Sequence, residues 1–188
     1  ARANGSPSGR TGAPSESTCT SCHNQSSGPG QVQITAPTSF TPGQTVQISV
    51  THTTSDTTRS AWGFQLTALD GSNTKAGTLA ATTGNTTVVN SSTKQYMNQT
   101  NAGTFAGQTG GATWTFNWTA PATNIGPVTF YAAGLQADDS GDDSGDQTYT
   151  ATAVSQAATP TPTPQLRTRF DFDADGRADL SVYRPGNN

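Results

Sequence analysis

The chain is poor in the side chains that carry most protein chemistry. Its 188 residues include two cysteines, two histidines, one methionine and one glutamate. A Ser-His-Asp hydrolase site has almost nothing to draw on. Basic residues are also scarce: nine Lys plus Arg stand against twelve acidic residues, for a net charge of −3 and a pI near 5.1. That balance argues against a nucleic-acid binder. No glycine-rich P-loop accompanies the few cations, so no nucleotide site is indicated. No apolar run approaches the roughly 18 residues that span a membrane. Leu, Ile, Val and Phe together number only 24. At high net charge that would signal disorder, but the charge is low and 35 threonines take their place. Threonine is β-branched and favours strands. The composition is that of a Thr-rich all-β protein. Charged residues are 11%, well below the usual quarter, and the low-Lys, Thr/Ser/Gly/Asn-rich surface points to export. Ala1 fits an N-terminus left by signal cleavage.

Four stretches differ in character. Residues 1–30 are rich in Gly, Ser, Pro and Asn and read as an irregular arm that something must fix in place. Residues 31–154 alternate as strands do. Val46, Ile48, Val50 and His52 share one parity, as do Trp62, Phe64, Leu66 and Ala68, and then Trp114, Phe116 and Trp118. Pro42-Gly43, Asp70-Gly71 and Gly126-Pro127 mark turns. Seven to nine short strands with this spacing predict an antiparallel sandwich, large enough to bury a core of its own. Residues 155–168 contain three Thr-Pro pairs and form a semi-rigid linker. Residues 169–188 are too short for a core and need another surface, either their own sandwich or the sheet edge of a neighbouring copy. Adding a tail strand to a neighbour's edge builds filaments.

Both cysteines and one histidine fall within five residues, Cys19-Thr20-Ser21-Cys22-His23. C-x-x-C-H is the attachment signal of c-type haem. Two thiols three positions apart reach the two vinyl groups of one haem, and His23 follows as proximal iron ligand. A zinc site would want four ligands, and the chain has one further histidine and no further cysteine. A thioredoxin-like pair would sit in a βα turn. For the sixth iron ligand His52 is the first candidate, as a strand-end imidazole on the buried parity, and Met97 the second. Met97 also reads as a gap-filler of the core. An open iron, or a ligand from another copy, is the alternative.

Nine of the twelve acidic residues form two clusters. Asp171, Asp173, Asp175, Arg177 (through its carbonyl) and Asp179 make a D-x-D-x-D-G-x-x-D loop, the pattern that converges on Ca²⁺. No glutamate stands at position 12, so this is not an EF-hand. Asp138–Asp146 repeats Asp-Asp-Ser-Gly and reads equally as a cation loop or a solvated surface loop.

The motifs together carry a resemblance. Gly12-Ala13-Pro14, the CTSCH run, Ile34–Pro37, Phe40–Gly43, Trp62–Ala68, Trp114–Pro121, Val128–Gly134 and Gly145-Asp146 are similar, in number and order, to bacterial reeler-like, choice-of-anchor V type domains. The resemblance implies an exported Ig-like β-sandwich, with a c-type haem before it in the C-x-x-C-H variants. Where relatives are expected to carry Tyr-x-x-His-Thr, this chain has Tyr96-Met97-Asn98-Gln99-Thr100, and Gln99 is a poor iron ligand. Phe170–Pro185 resembles the start of an FG-GAP/VCBS-type repeat. The expectation is an exported monohaem c-type cytochrome, not an enzyme. Haem is attached in the periplasm, and the protein then acts at the cell surface or beyond. It transfers electrons to an unidentified redox partner and assembles with copies of itself through the calcium-loop tail. The alternative is a calcium-dependent adhesion or fibre module in which haem carries no electrons.

Overall fold

Alternation of apolar residues with threonine produces ten strands in the described residues, 4–23 and 28–159 of a computed structural model. The chain divides into two units, Ala1–Ala158 and Thr159–Asn188, and the fold described is that of the first. The strands are β1 (Gln31–Thr35), β2 (Ser39–Phe40), β3 (Thr45–Thr53), β4 (Ala61–Leu69), β5 (Thr78–Ala81), β6 (Thr86–Asn90), β7 (Gln95–Gln99), β8 (Gly111–Thr119), β9 (Val128–Ala137) and β10 (Gln147–Ala157). They form two sheets, β1-β3-β8-β5 and β2-β10-β9-β4-β7-β6. Pairing is antiparallel except between β10 and β2. The result is the expected all-β sandwich.

Register follows from the period of two. In β3 and β8, Ile48 lies opposite Phe116 and Val50 opposite Trp114, all turned inward. On the outer face of the same ladder, Thr45 pairs with Thr119 and Thr51 with Thr113 through their hydroxyls, at 2.8 and 3.1 Å. A one-residue slip would exchange these faces. Trp118 meets Phe40 and Phe130 edge-on, each at 5.1 Å between ring centres. All three indole N–H groups donate to carbonyls: Trp62 to Gln108, Trp114 to Gly103 and Trp118 to Ala76. The rings are therefore buried without an orphaned donor. The three expected turns fall between strands, with Gly43 and Gly126 at positive φ.

The arm is more firmly held than its composition suggests. Strand β4 is buried along its whole length. Trp62, Phe64, Leu66 and Ala68 face the core. The opposite face is covered by residues 4–23. Gln65 Nε2 donates to Ser6 Oγ at 2.9 Å and to the Pro7 carbonyl at 3.0 Å, while its Oε1 accepts from Arg10 N–H at 2.6 Å. Glu16 Oε1 accepts from Lys94 Nζ and Tyr96 OH, both at 2.7 Å. Protein contacts alone dock this segment on the outer face of the six-stranded sheet. At the other end, β10 runs three residues past the expected boundary at 154. Ser155 pairs with Val128, and Gln156 and Ala157 pair with β2, so these residues belong to the sheet and not to the linker.

Candidate functional site

Threonine at position 18 opens the Cys19–Ser21 turn, a single 3-10 turn whose N-cap is its hydroxyl accepting from Thr20 N–H. The turn then closes on the Cys19 carbonyl, which accepts from both Cys22 N–H at 3.2 Å and His23 N–H at 3.1 Å. The pentapeptide is thus one compact loop. Neither cysteine is in a disulfide. Cys19 packs against Ala61, Leu135 and Ala137 on the outer sheet face, and this burial pushes its thiol up to about 12. Cys22 is exposed. Between the loop and the sheet lies a mostly apolar cavity of about 90 Å³, lined by Cys19, Cys22 and His23 from the arm and by Ala61–Phe64, Leu135 and Ala137 from the sheet.

The imidazole of His23 is fixed from the far end of the chain. Its Nδ1 is 2.6 Å from Oδ2 of Asp146, whose side chain is 1% exposed. A ring held this way through Nδ1 presents Nε2 to a metal, and a carboxylate on the second nitrogen is the usual support of a ligating histidine. Asp146 stands immediately before β10, and of the five carboxylates in Asp138–Asp146 it alone is buried. The others stay in the exposed loop, where Asp138 and Asp142 cap Ser140 and Ser144 N–H groups. Hydrogen bonds from the Ser140 and Ser144 hydroxyls, and then from their N–H groups, hold the Asp138 and Asp142 carboxyls below the usual range. Sequence reasoning grouped Asp146 with the cluster. Its adjacency to a strand was the available signal that it differed.

The two candidates for the sixth iron ligand are elsewhere. His52 has the buried parity foreseen for it, but that parity faces the sandwich interior. Its ring lies edge-on to Trp114 and Trp62, at 5.2 and 5.9 Å between centres, and against the backbone of Gly134, where a Cβ would stand 2.4 Å from its Nε2. Strands β4 and β9 separate it from the outer face that carries the cavity. Burial pushes His52 down to about 3, so it is neutral in the fold. Met97, also on an inward position, is 0% exposed in the same core and serves as filler. The structure does not bring either residue to Cys19, Cys22 and His23, because the arm packs on the opposite side of the sheet from both. Asp171, Asp173, Asp175, Arg177 and Asp179 lie outside the described residues. Among the described residues no cluster of three or more His, Cys, Asp or Glu side chains could hold a metal ion by itself.

A two-sheet antiparallel sandwich with a cysteine-bearing arm laid on its outer face is an all-β domain of defined type. The chain belongs to the Reeler domain family, whose model matches residues 13–140. No curated protein matches the sequence. Similar solved structures include AvmM, described as catalysing macrocyclization in alchivemycin A biosynthesis, at 12% identity over 73% of this chain and 93% of that one, with a TM-score of 0.45. A cohesin module from a Clostridium perfringens family 33 glycoside hydrolase matches at 8% identity over 70% and 98%, TM-score 0.48. The sixth cohesin of Acetivibrio cellulolyticus scaffoldin B matches at 12% over 69% and 99%, TM-score 0.43. Likenesses at this level assign no activity. Among the described residues no helix is long and apolar enough to cross a membrane.

Proposed function

We propose that the chain is an exported monohaem c-type protein, an electron carrier and structural subunit and not an enzyme. One observation carries this reading: Cys19 and Cys22 stand unpaired at the wall of an apolar cavity, with His23 beside them held through Nδ1 by a buried carboxylate. The donor set fits a c-type haem. Two thiols provide the thioether bonds, Cys19 and Cys22 by number, and His23 Nε2 provides the proximal ligand. The apolar lining from Ala61, Leu135 and Ala137 suits the face of a macrocycle. The cavity is smaller than a porphyrin, and the arm forms one of its walls, so loading displaces the arm outwards. When bound, the haem supplies one-electron chemistry at iron. The chain's own part is to orient His23, exclude water from one side and hold the group at the surface, where a partner can approach. Calcium at the Asp171–Asp179 loop and assembly through the tail complete the reading as a cell-surface or extracellular filament.

The test is a pyridine haemochrome spectrum on acid-acetone-extracted protein made in cells that attach c-type haem. The expected result is one covalent haem per chain, lost in the Cys19→Ala, Cys22→Ala double variant. A colourless extracted protein overturns the reading and leaves a haem-free adhesion module.

A further inference from the structure

Resting on the assembly part of the reading above, and not on the haem, we infer that β6 is the sheet edge that accepts a strand from the tail of a second copy, with residues 180–183 as the occupant. An edge strand turns the N–H and C=O of every second residue outward, and natural edges guard them with charge, proline, a bulge or brevity. None of the ten strands contains Lys, Arg, Asp, Glu or Pro, so neither charge nor proline guards an edge here. The four edges, β1 and β5 of one sheet and β2 and β6 of the other, differ in what lies on them. Strand β2 is two residues long. Strand β1 lies beside β10, and Gly30 N–H at its entry donates to Tyr149 OH of β10 at 3.0 Å. In β5, Leu79 N–H donates to Oε1 of Gln95 at 2.6 Å. Strand β6 pairs with β7 on one side. Among the described residues nothing bonds to its main chain from the other.

The side chains of β6 lack cover in the same place. Val88 packs on the core and Val89 lies opposite Tyr96, yet both valines are only half-buried. A strand laid along β6 pairs its free groups and covers both. The tail has the pattern for this: Leu180 and Val182 share one parity, Ser181 and Tyr183 the other. Beside β6 these continue the Val88 row and the Thr87–Val89 row, and an aromatic is a favourable neighbour of a β-branched residue. Residues 158–179 separate this segment from the end of β10 and contain three Thr-Pro pairs. At about 3.1 Å per residue such a linker reaches roughly 70 Å, about twice the length of β10 at about 3.3 Å per residue. A stiff reach of that size favours another copy over a return to the same sheet. Donor and acceptor are different surfaces of one chain, so the contact is heterologous and propagates into a filament.

The experiment uses the full chain with calcium present, followed by light scattering and amide exchange. The wild type should form oligomers in which β6 exchanges slowly. Thr87→Lys with Val89→Lys puts charge on the open edge. Val182→Pro removes an N–H from the donated strand. Each variant should be monomeric, with unchanged far-UV circular dichroism. Mixed, the two should form a one-to-one dimer and grow no further, because one brings the only intact edge and the other the only intact tail strand. Oligomers that survive in the lysine variant but vanish on deletion of residues 160–188 overturn β6 as the acceptor and leave tail assembly standing. Oligomers that survive the deletion overturn tail assembly itself. A monomeric wild type overturns the second copy as occupant: with β6 slow to exchange, the tail has returned to its own sheet, and with β6 fast, no strand is added at all. If the lysine variant does not fold, exchange in the wild-type oligomers decides, and a fast β6 there overturns the inference.

Discussion

His52 shows how much one residue's surroundings decide. Among the described residues its two buried ring nitrogens have no hydrogen-bond partner, the costly condition for a polar group in a core. Its folded value of about 3 lies below the ordinary 6.5, so the unfolded chain binds the proton more readily. Stability from this residue is complete above pH 6.5 and drains away as pH falls towards 3. On the order of 3 kcal/mol is gone by pH 4.5. His52→Leu should be at least as stable as the wild type at pH 7.5, within about 1 kcal/mol. It should lose less stability than the wild type between pH 7.5 and 4.5, as read by urea denaturation at both. Equal losses in the two proteins would show that the ring is not buried as described. The parity of His52 was legible from Val46–His52. That its face looked into the core and away from the cysteines was not, because a strand has two faces and sequence does not say which one the arm covers.

At the scale of elements, the informative contact is between the arm and β7. Glu16, the only glutamate, is pushed up by burial. The hydrogen bonds from Lys94, Thr11 and Tyr96 outweigh that and hold it below the usual carboxylate range. Its contribution is present above the ordinary carboxylate pKa and is lost as pH falls through the folded one. Removing one partner of a mostly buried pair costs about 3 kcal/mol. Glu16→Ala should therefore speed amide exchange in residues 4–23 about a hundredfold and leave exchange in β3, β8 and β9 unchanged. Exchange unaltered in the arm would mean that the Gln65 and Asn98 bonds to Ser6, Pro7 and Arg10 suffice to hold it. The strands themselves were readable because threonine alternates with large apolar residues. The docking of the arm was not, since its anchors are single polar side chains, Gln65, Lys94, Tyr96 and Asp146, far away in sequence.

For the whole molecule, the sandwich carries its own core of tryptophan, phenylalanine and aliphatic side chains, and β10 closes against β2 and β9 by Ala157. Deleting residues 160–188 should leave a domain whose melting temperature is unchanged within about 2 °C, while any oligomers seen by light scattering disappear. Oligomers that persist unchanged would place the assembly contact on the sandwich. Chelating calcium in the full chain should have the same effect on assembly as the deletion, if the Asp171–Asp179 loop shapes the tail.

The sequence by itself determined the fold class, the strand parities, the main turns and the C-x-x-C-H run of Cys19–His23, because each rests on spacing between near neighbours. Only the tertiary structure decided that the motif lies on the outer face of the six-stranded sheet, that His52 and Met97 are shut behind that sheet, and that Asp146 comes back across 123 residues to hold His23. Those relations depend on which faces meet in space, and periodicity along one chain does not encode which faces meet.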